Sequence, residues 1–250
     1  MHRLPFVLPD DPHAPFPPAD QALDEPDGLL AIGGDLSVPR LLQAYRQGIF
    51  PWYSRGQPIL WWSPDPRTVF RTDGVRLSSR FRRELRRSRW QVRADTAFAE
   101  VVARCAAIPR PGQDGTWILP EMQQAYRRLH DLGHAHSVEV YDEDGVLAGG
   151  IYGVAVGRMF FGESMFSARS GGSKIALAAL ARRLREWDWP LLDAQVANPH
   201  LEFLGAEPWP RARFLAEAAD LVRRPGREGP WTGAFGTMPA ADLVAPSSGR

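Results

Sequence analysis

Glu163, Asp193 and Gln195 are the polar side chains whose neighbours point most directly to chemistry. Glu163 stands in "MFFGESMFS", flanked by Phe160, Phe161, Met165 and Phe166. A carboxylate beside that much apolar surface is costly unless it is paired, hydrogen-bonded or open to a cleft. Asp193 and Gln195 come from "LLDAQV", which reads as a strand, and residues two apart on a strand face the same way. An acid and a carboxamide together on so apolar a strand point either to a buried hydrogen-bonded network or to a reactive site. The loop after Glu163 offers a rival chemistry. "SARSGGSK" leads into a helical pattern, and a Gly/Ser loop at a helix start is a common phosphate cradle. It has the spacing of neither a Walker loop nor a dinucleotide fingerprint, so its phosphate signal is weak.

Other chemistries find little support. Cys105 is the one cysteine, which excludes an internal disulfide and a thiolate zinc site, and its place on a helical face makes it a core residue. His130, His134 and His136 straddle a helix end and a glycine, a poor arrangement for a shared metal. No Ser–His–Asp order emerges from the six histidines.

The net charge is +1, yet "RLSSRFRRELRRSRWQVR" at 76–93 holds eight arginines against one glutamate. That segment nets +7 and leaves −6 for the rest of the chain. Dense arginine suits a phosphate backbone, which guanidinium grips with paired hydrogen bonds; a solvated helix face is the plainer alternative. The opening "MHRLPFVLPDDPHAPFPP" lacks the apolar core of a signal peptide, and no apolar run approaches the roughly 18 residues of a membrane span. These features read as a cytoplasmic protein.

Positioning such residues calls for an α+β fold. "GDLSVPRLLQAYRQG" reads as a helix stopped by Gly48, and the aromatic stretch "IFPWYSRGQPILWWSPDPR" as loop and short strand. Asp95 is placed to cap the helix "TAFAEVVARCAA", the Gly/Pro loop "PRPGQDGTWI" delivers Trp117, and "PEMQQAYRRLHDLG" is a further amphipathic helix. "HSVEVY", "VLAGGIYGVAV" and "MFFGESM" form an antiparallel three-strand meander. A helix from Ser173 to about Trp187, the strand "PLLDAQV", a short helix at "NPHLEFLG" and a last helix around "ARFLAEAADLV" follow. This order resembles a mixed-sheet fold of the acetyltransferase-like (GNAT) type. Residues 1–72 read as a small aromatic-rich N-terminal domain, 73–222 as the catalytic domain, and 223–250 as a Pro/Gly-rich tail partly without structure.

Several long stretches carry a more specific resemblance. "EPDGLLAIGGDLSVPRLLQAYRQGIFPWYSRGQPILWWSPDPR", "GQDGTWILPEM", "AYRRLHDLGHAHSVEV", "GGIYGVAVGRMFFGESMFS" and "LLDAQVANPHLEFLGAE" resemble leucyl/phenylalanyl-tRNA–protein transferases, over about residues 25–214 and in that family's order. The resemblance implies an aminoacyltransferase that moves Leu or Phe, or Met, from aminoacyl-tRNA to the α-amino group of proteins beginning with Arg or Lys. The product is an N-end degradation signal. It implies an acetyltransferase-like domain that uses no CoA, no other cofactor and no metal, so that Gly171–Ser173 is only an inherited helix start.

By position, the resemblance assigns the catalytic roles to Asp193, Gln195 and Glu163. It gives Trp52 and Trp117 the terminal adenosine of the tRNA, and Tyr45, Tyr126, Ile151, Phe160 and Met165 the amino-acid side chain. Arg76, Arg80, Arg82, Arg83, Arg86 and Arg87 fall where tRNA backbone contacts belong. The chain departs from the family pattern at "RSGGSK", where an Ala usually precedes Ser-Lys, and at Phe203, where a serine is usual. The sequence leaves three alternatives: an acyl-CoA N-acetyltransferase using the loop at Ser170–Lys174, a non-catalytic RNA-binding module, and a transferase with a peptidoglycan-type acceptor.

Overall fold

The computed structural model describes residues 4–108 and 116–244. An N-terminal sheet comprises β1 (Phe6–Leu8), β2 (Leu29–Gly33), β3 (Phe50–Pro51) and β4 (Leu60–Trp62) in the order β1-β2-β4-β3, with helix α1 (Val38–Arg46) between β2 and β3. The larger sheet draws on β5 (Arg67–Arg71), β6 (Gln91–Ala94), β7 (Ala135–Tyr141), β8 (Leu147–Val156), β9 (Met159–Ser167), β10 (Leu191–Gln195), β11 (Glu207–Trp209) and β12 (Met238–Pro239). Its order is β11-β5-β10-β9-β8-β7-β6-β12. The helices are α2 (Ser79–Leu85), α3 (Phe98–Ala107), α4 (Pro120–Asp131), α5 (Gly172–Glu186), α6 (Pro199–Phe203), α7 (Arg211–Leu221) and α8 (Thr232–Phe235), with 3-10 turns at Ala19–Gln21 and Ala240–Val244.

The expected meander is present as β7-β8-β9, with turns at Gly145 and Gly157, both at positive φ. All of β8 is buried, as its near-continuous apolar run requires. One core cluster joins residues of the N-terminal sheet and α1 to α3, α4 and the β8–β9 hairpin; Cys105 belongs to it. A second gathers α5, Trp189 and the C-terminal Trp231, Phe235 and Met238. Helix α5 approaches β8 at backbone distance: a Cβ on Gly149 would lie 2.5 Å from the Gly172 carbonyl carbon, so only glycine fits there.

Three expectations change. Residues 224–244 are no loose tail, because β12 pairs with β6 and Trp231 is buried, which covers the β6 edge of the sheet. Asp95 does not cap α3; its carboxylate instead accepts from Ser137 N at 2.9 Å and Trp231 N at 2.7 Å and contacts His136 Nδ1 at 2.9 Å. β5, at the border of the expected first domain, is a strand of the large sheet. Residues 109–115 of the expected Gly/Pro loop and 245–250 of the expected tail lie outside the described residues. Among the described residues no helix is long and apolar enough to cross a membrane.

Candidate active site

β9 and β10 run parallel and pair only over Met159–Phe161 and Leu191–Asp193. Just past the last pair, each strand has a register shift against its other neighbour. Tyr152 and Gly153 of β8 face Ser164 and Gly162 of β9, so Glu163 is the extra residue of a bulge. Asp193 and Gln195 face Val69 and Thr68, so Ala194 is the extra residue on β10. Bulges re-aim side chains, and these two bring Glu163 and Gln195 together between the strands. Glu163 is therefore a mid-strand residue rather than the strand-end residue its sequence context implied.

Gln195 Nε2 donates to Glu163 Oε1 at 3.0 Å. Tyr45 Oη donates to the same oxygen at 2.8 Å, and Tyr126 Oη to Oε2 at 2.5 Å. The two phenol oxygens are 2.9 Å apart. Two phenolic protons cannot serve all three oxygen–oxygen contacts, whereas a third proton on Glu163, donated to one phenol so that this phenol donates to the other, satisfies every one. Burial pushes the Glu163 carboxyl up to about 7, opposed by the Tyr126 and Tyr45 hydrogen bonds and reinforced by Asp193. Both tyrosines are fully buried, and burial together with Glu163 raises their own pKa values well above the ordinary phenol range. The unit is mostly an uncharged acid below neutral pH and ionises as pH rises through about 7.

Asp193 has the opposite electrostatics. It is fully buried, but Arg67 Nε meets Oδ1 at 2.8 Å and Nη2 meets Oδ2 at 2.6 Å. The guanidinium lies between the rings of Phe50 and Phe214, at 4.7 and 4.5 Å, and its Nη1 donates to Gly48 O at 3.0 Å. Oδ1 also accepts Gln195 N at 2.9 Å, and Gln195 sits at φ +62°, a strained region for a residue with a side chain. Asp193 is thus an ion-paired anchor for the Gln195 backbone, with its charge compensated. Arg67 carried no signal in the sequence beyond its place in "SPDPR"; one arginine among so many is not distinguished by type or spacing.

Over this polar floor opens a cavity of about 390 Å³. Trp52, Trp117, Phe70, Ile151, Met165 and Leu177 contribute its apolar walls, and Glu163, Asp193 and Gln195 its floor. That size and lining suit a small, largely apolar group held beside a few polar atoms. Of the residues expected to line the side-chain pocket, Ile151 and Met165 do so. Tyr45 and Tyr126 lie beneath Glu163 as its hydrogen-bond donors, and Phe160 packs in the second core cluster, 5.7 Å from Trp231.

The Gly/Ser loop is occupied by its own contacts. Ala168 N and Arg169 N donate to Ala148 O, Gly172 N to Arg169 O, and Ser173 N to Ser167 Oγ at 2.8 Å. These amides hold the start of α5 against β8 and are not offered to a phosphate. Arg76, Arg80, Arg82, Arg83, Arg86 and Arg87 are all exposed, on or beside α2. His130 stacks on Phe98 and His136 on Trp231, with their Nδ1 atoms 4.0 and 2.9 Å from the Asp95 carboxylate, so these two histidines are packing residues around Asp95.

Fold and site together define a mixed α/β protein with an apolar cavity over a buried acid–amide pair, the layout of an enzyme. Residues 69–219 match the family model described as leucyl/phenylalanyl-tRNA protein transferase, and residues 34–65 match the N-terminal domain of the same family. The leucyl/phenylalanyl-tRNA–protein transferase of Xanthomonas axonopodis pv. citri is 67% identical over 96% of each chain. That of Xylella fastidiosa is 59% identical over 98% of this chain and 100% of its own. A conserved Staphylococcus epidermidis protein of unknown function gives a distant structural likeness, with 11% identity and a TM-score of 0.40 over 58% of this chain and 57% of its own. The chain belongs to the leucyl/phenylalanyl-tRNA protein transferase family, and is an acyltransferase acting between aminoacyl-tRNA and protein.

Proposed function

We propose that the enzyme moves Leu or Phe from aminoacyl-tRNA to the α-amino group of proteins that begin with Arg or Lys, creating an N-end degradation signal in the cytoplasm. The observation that carries this reading is the meeting of Gln195 and Glu163 at the floor of an apolar cleft flanked by Trp52 and Trp117. The aminoacyl side chain occupies the wall made by Ile151, Met165 and Leu177. Trp52 and Trp117 stack the terminal adenosine, a contact worth about 1–3 kcal/mol per base. Arg76, Arg80, Arg82, Arg83, Arg86 and Arg87 contact the tRNA backbone. A division at about residue 72 into an N-terminal and a catalytic part, with β5 completing the larger sheet and residues 224–244 packed on it, and the acetyltransferase-like descent of that sheet, are parts of the same proposal.

The donor ester is already activated. The neutral acceptor nitrogen attacks the ester carbonyl carbon, a C–N bond forms, the bond to the ribose oxygen breaks, and the proton the nitrogen gives up ends on that oxygen, which leaves as a hydroxyl. The attacking amine must be neutral, and with a pKa of about 7.7–8.0 roughly a tenth of it already is at pH 7. Little base strength is required, so orientation dominates. The Gln195 N–H group is committed to Glu163, which leaves its carbonyl oxygen as the end that accepts from the amine. Arg67 neutralises Asp193, so Glu163 is the acid that answers a cationic acceptor: an approaching guanidinium or ammonium lowers its pKa, the proton passes to solvent and the carboxylate pairs with the cation.

The test supplies purified enzyme with labelled Phe-tRNA and peptides beginning with Arg or Ala, and with acetyl-CoA in parallel. RNase-sensitive transfer of label to the Arg peptide alone is expected. Acetyl transfer without use of Phe-tRNA would replace this reading with the CoA enzyme, and transfer to neither peptide would remove it.

A further inference from the structure

We infer that Arg67 is the positioning residue of the reaction: through Asp193 it sets the backbone at Gln195 and hence the aim of the carboxamide. The inference rests on the reading that Gln195 orients the attacking amine.

Gln195 needs an external hold for two reasons. Its φ of +62° is one that a residue with a Cβ leaves readily, and it follows a bulge where the ladder to β5 is out of step. The hold is Asp193 Oδ1, which accepts the Gln195 N–H at 2.9 Å. A lone buried aspartate would be a poor anchor, because its carboxylate would be free to rotate. The Arg67 fork blocks that rotation, with one nitrogen on each carboxylate oxygen, a planar match that an ammonium cannot reproduce.

Arg67 is itself fixed from three separate elements. Gly48, at the end of α1, accepts from Nη1, and Phe50 of β3 and Phe214 of α7 enclose the guanidinium plane. The N-terminal unit is thereby wired to the angle of one carboxamide in the larger sheet. Arg67 itself does not line the cleft, and Asp193 and Gln195 belong to its floor rather than to the wall of Ile151, Met165 and Leu177 that would hold the aminoacyl group, so loss of the fork falls on the chemical step more than on binding.

The experiment measures single-turnover transfer from Phe-tRNA to an Arg peptide for Arg67→Lys, Gln195→Ala, their combination, and the double variant Arg67→Met/Asp193→Leu. Thermal unfolding confirms the folded state of each. Arg67→Lys is expected to slow the saturated rate by about tenfold to a hundredfold, the cost of a small misplacement, with KM for Phe-tRNA changed less than about twofold. In the Gln195→Ala background the same change is expected to cost nothing more. The Arg67→Met/Asp193→Leu variant replaces a buried ion pair by apolar packing, which commonly preserves stability, so it tests position without charge should Arg67→Lys unfold. It is expected to fold, bind Phe-tRNA and transfer slowly. A parental rate in Arg67→Lys or in the apolar double variant, or a loss that adds fully to that of Gln195→Ala, overturns the inference and leaves the proposed function standing. A parental rate in Gln195→Ala removes the orienting role of Gln195 and with it the inference, while the transfer it measures leaves the proposed reaction standing.

Discussion

At the scale of single residues, the number of protons shared by Tyr45, Tyr126 and Glu163 decides the charge of the cleft floor. The Glu163 carboxyl titrates near 7 in the folded chain, against an ordinary 4.5. Between those values the folded chain holds a proton that the unfolded chain has released, so folding stability falls as pH rises through this window and levels off above it. Glu139, buried beside Ser137 and Thr96 and also pushed up to about 7, adds a second slope of the same sign. Glu163→Gln cannot titrate and removes one of the two. Its stability relative to the parent should rise between pH 5 and pH 8, by up to about 3 kcal/mol at about 1.4 kcal/mol per pH unit. Denaturant midpoints across that range check this, and parallel profiles for parent and variant would mean that Glu163 is ionised throughout. Glu163, Asp193 and Gln195 were legible in the sequence because polar groups on apolar strands need a reason. The donor role of Tyr45 and Tyr126 was not, since each also reads as one more apolar-face residue of a helix, and Arg67 was hidden among similar residues.

At the scale of elements, long periodic segments were legible and short ones were not. The helices α3, α4 and α5 and the β7-β8-β9 hairpins follow from spacing and turn residues close in sequence. β5, β6, β11 and β12 are short and gain their pairing from partners far along the chain, as β12 does from β6. The two bulges were invisible for a related reason: a bulge is a relation between two strands, and neither strand records it alone. The C-terminal segment makes the same point. Its Pro/Gly-rich composition hides Trp231, which stacks on His136 at 3.9 Å and packs against Trp187 and Trp189 in the second core. Trp231→Ala removes a fully buried ring and should cost about 3–5 kcal/mol. Trp231 does not line the cleft, so the folded fraction should transfer at the parental rate. Denaturation curves paired with single-turnover assays at low temperature test both halves; a stable variant would mean that the segment only rests on the sheet.

At the scale of the whole molecule, charge is distributed against its own total. A chain with net charge +1 carries +7 on residues 76–93. Arg80 leans on Glu84 at 3.0 Å, whereas Arg82 and Arg86, one helical turn apart and exposed, form no ion pair among the described residues. A field of this kind raises encounter rates with a polyanion and holds it by releasing its counterions, an effect that salt weakens. Sequence identity plays no part in such binding, so in the proposed reaction it would serve Leu-tRNA and Phe-tRNA alike, while the cleft walls would choose the amino acid. Arg82→Gln/Arg86→Gln should therefore weaken binding of both charged tRNAs by the same factor. It should also lower the slope of log affinity against log salt by about 0.7–0.9 for each phosphate no longer neutralised. KM for the acceptor peptide, which carries no phosphate, should stay at its parental value. Filter binding across a salt series measures the slope directly. A slope equal to the parent's would make these arginines a solvated helix face, and tRNA would have to be held by the cleft and the two tryptophans without them.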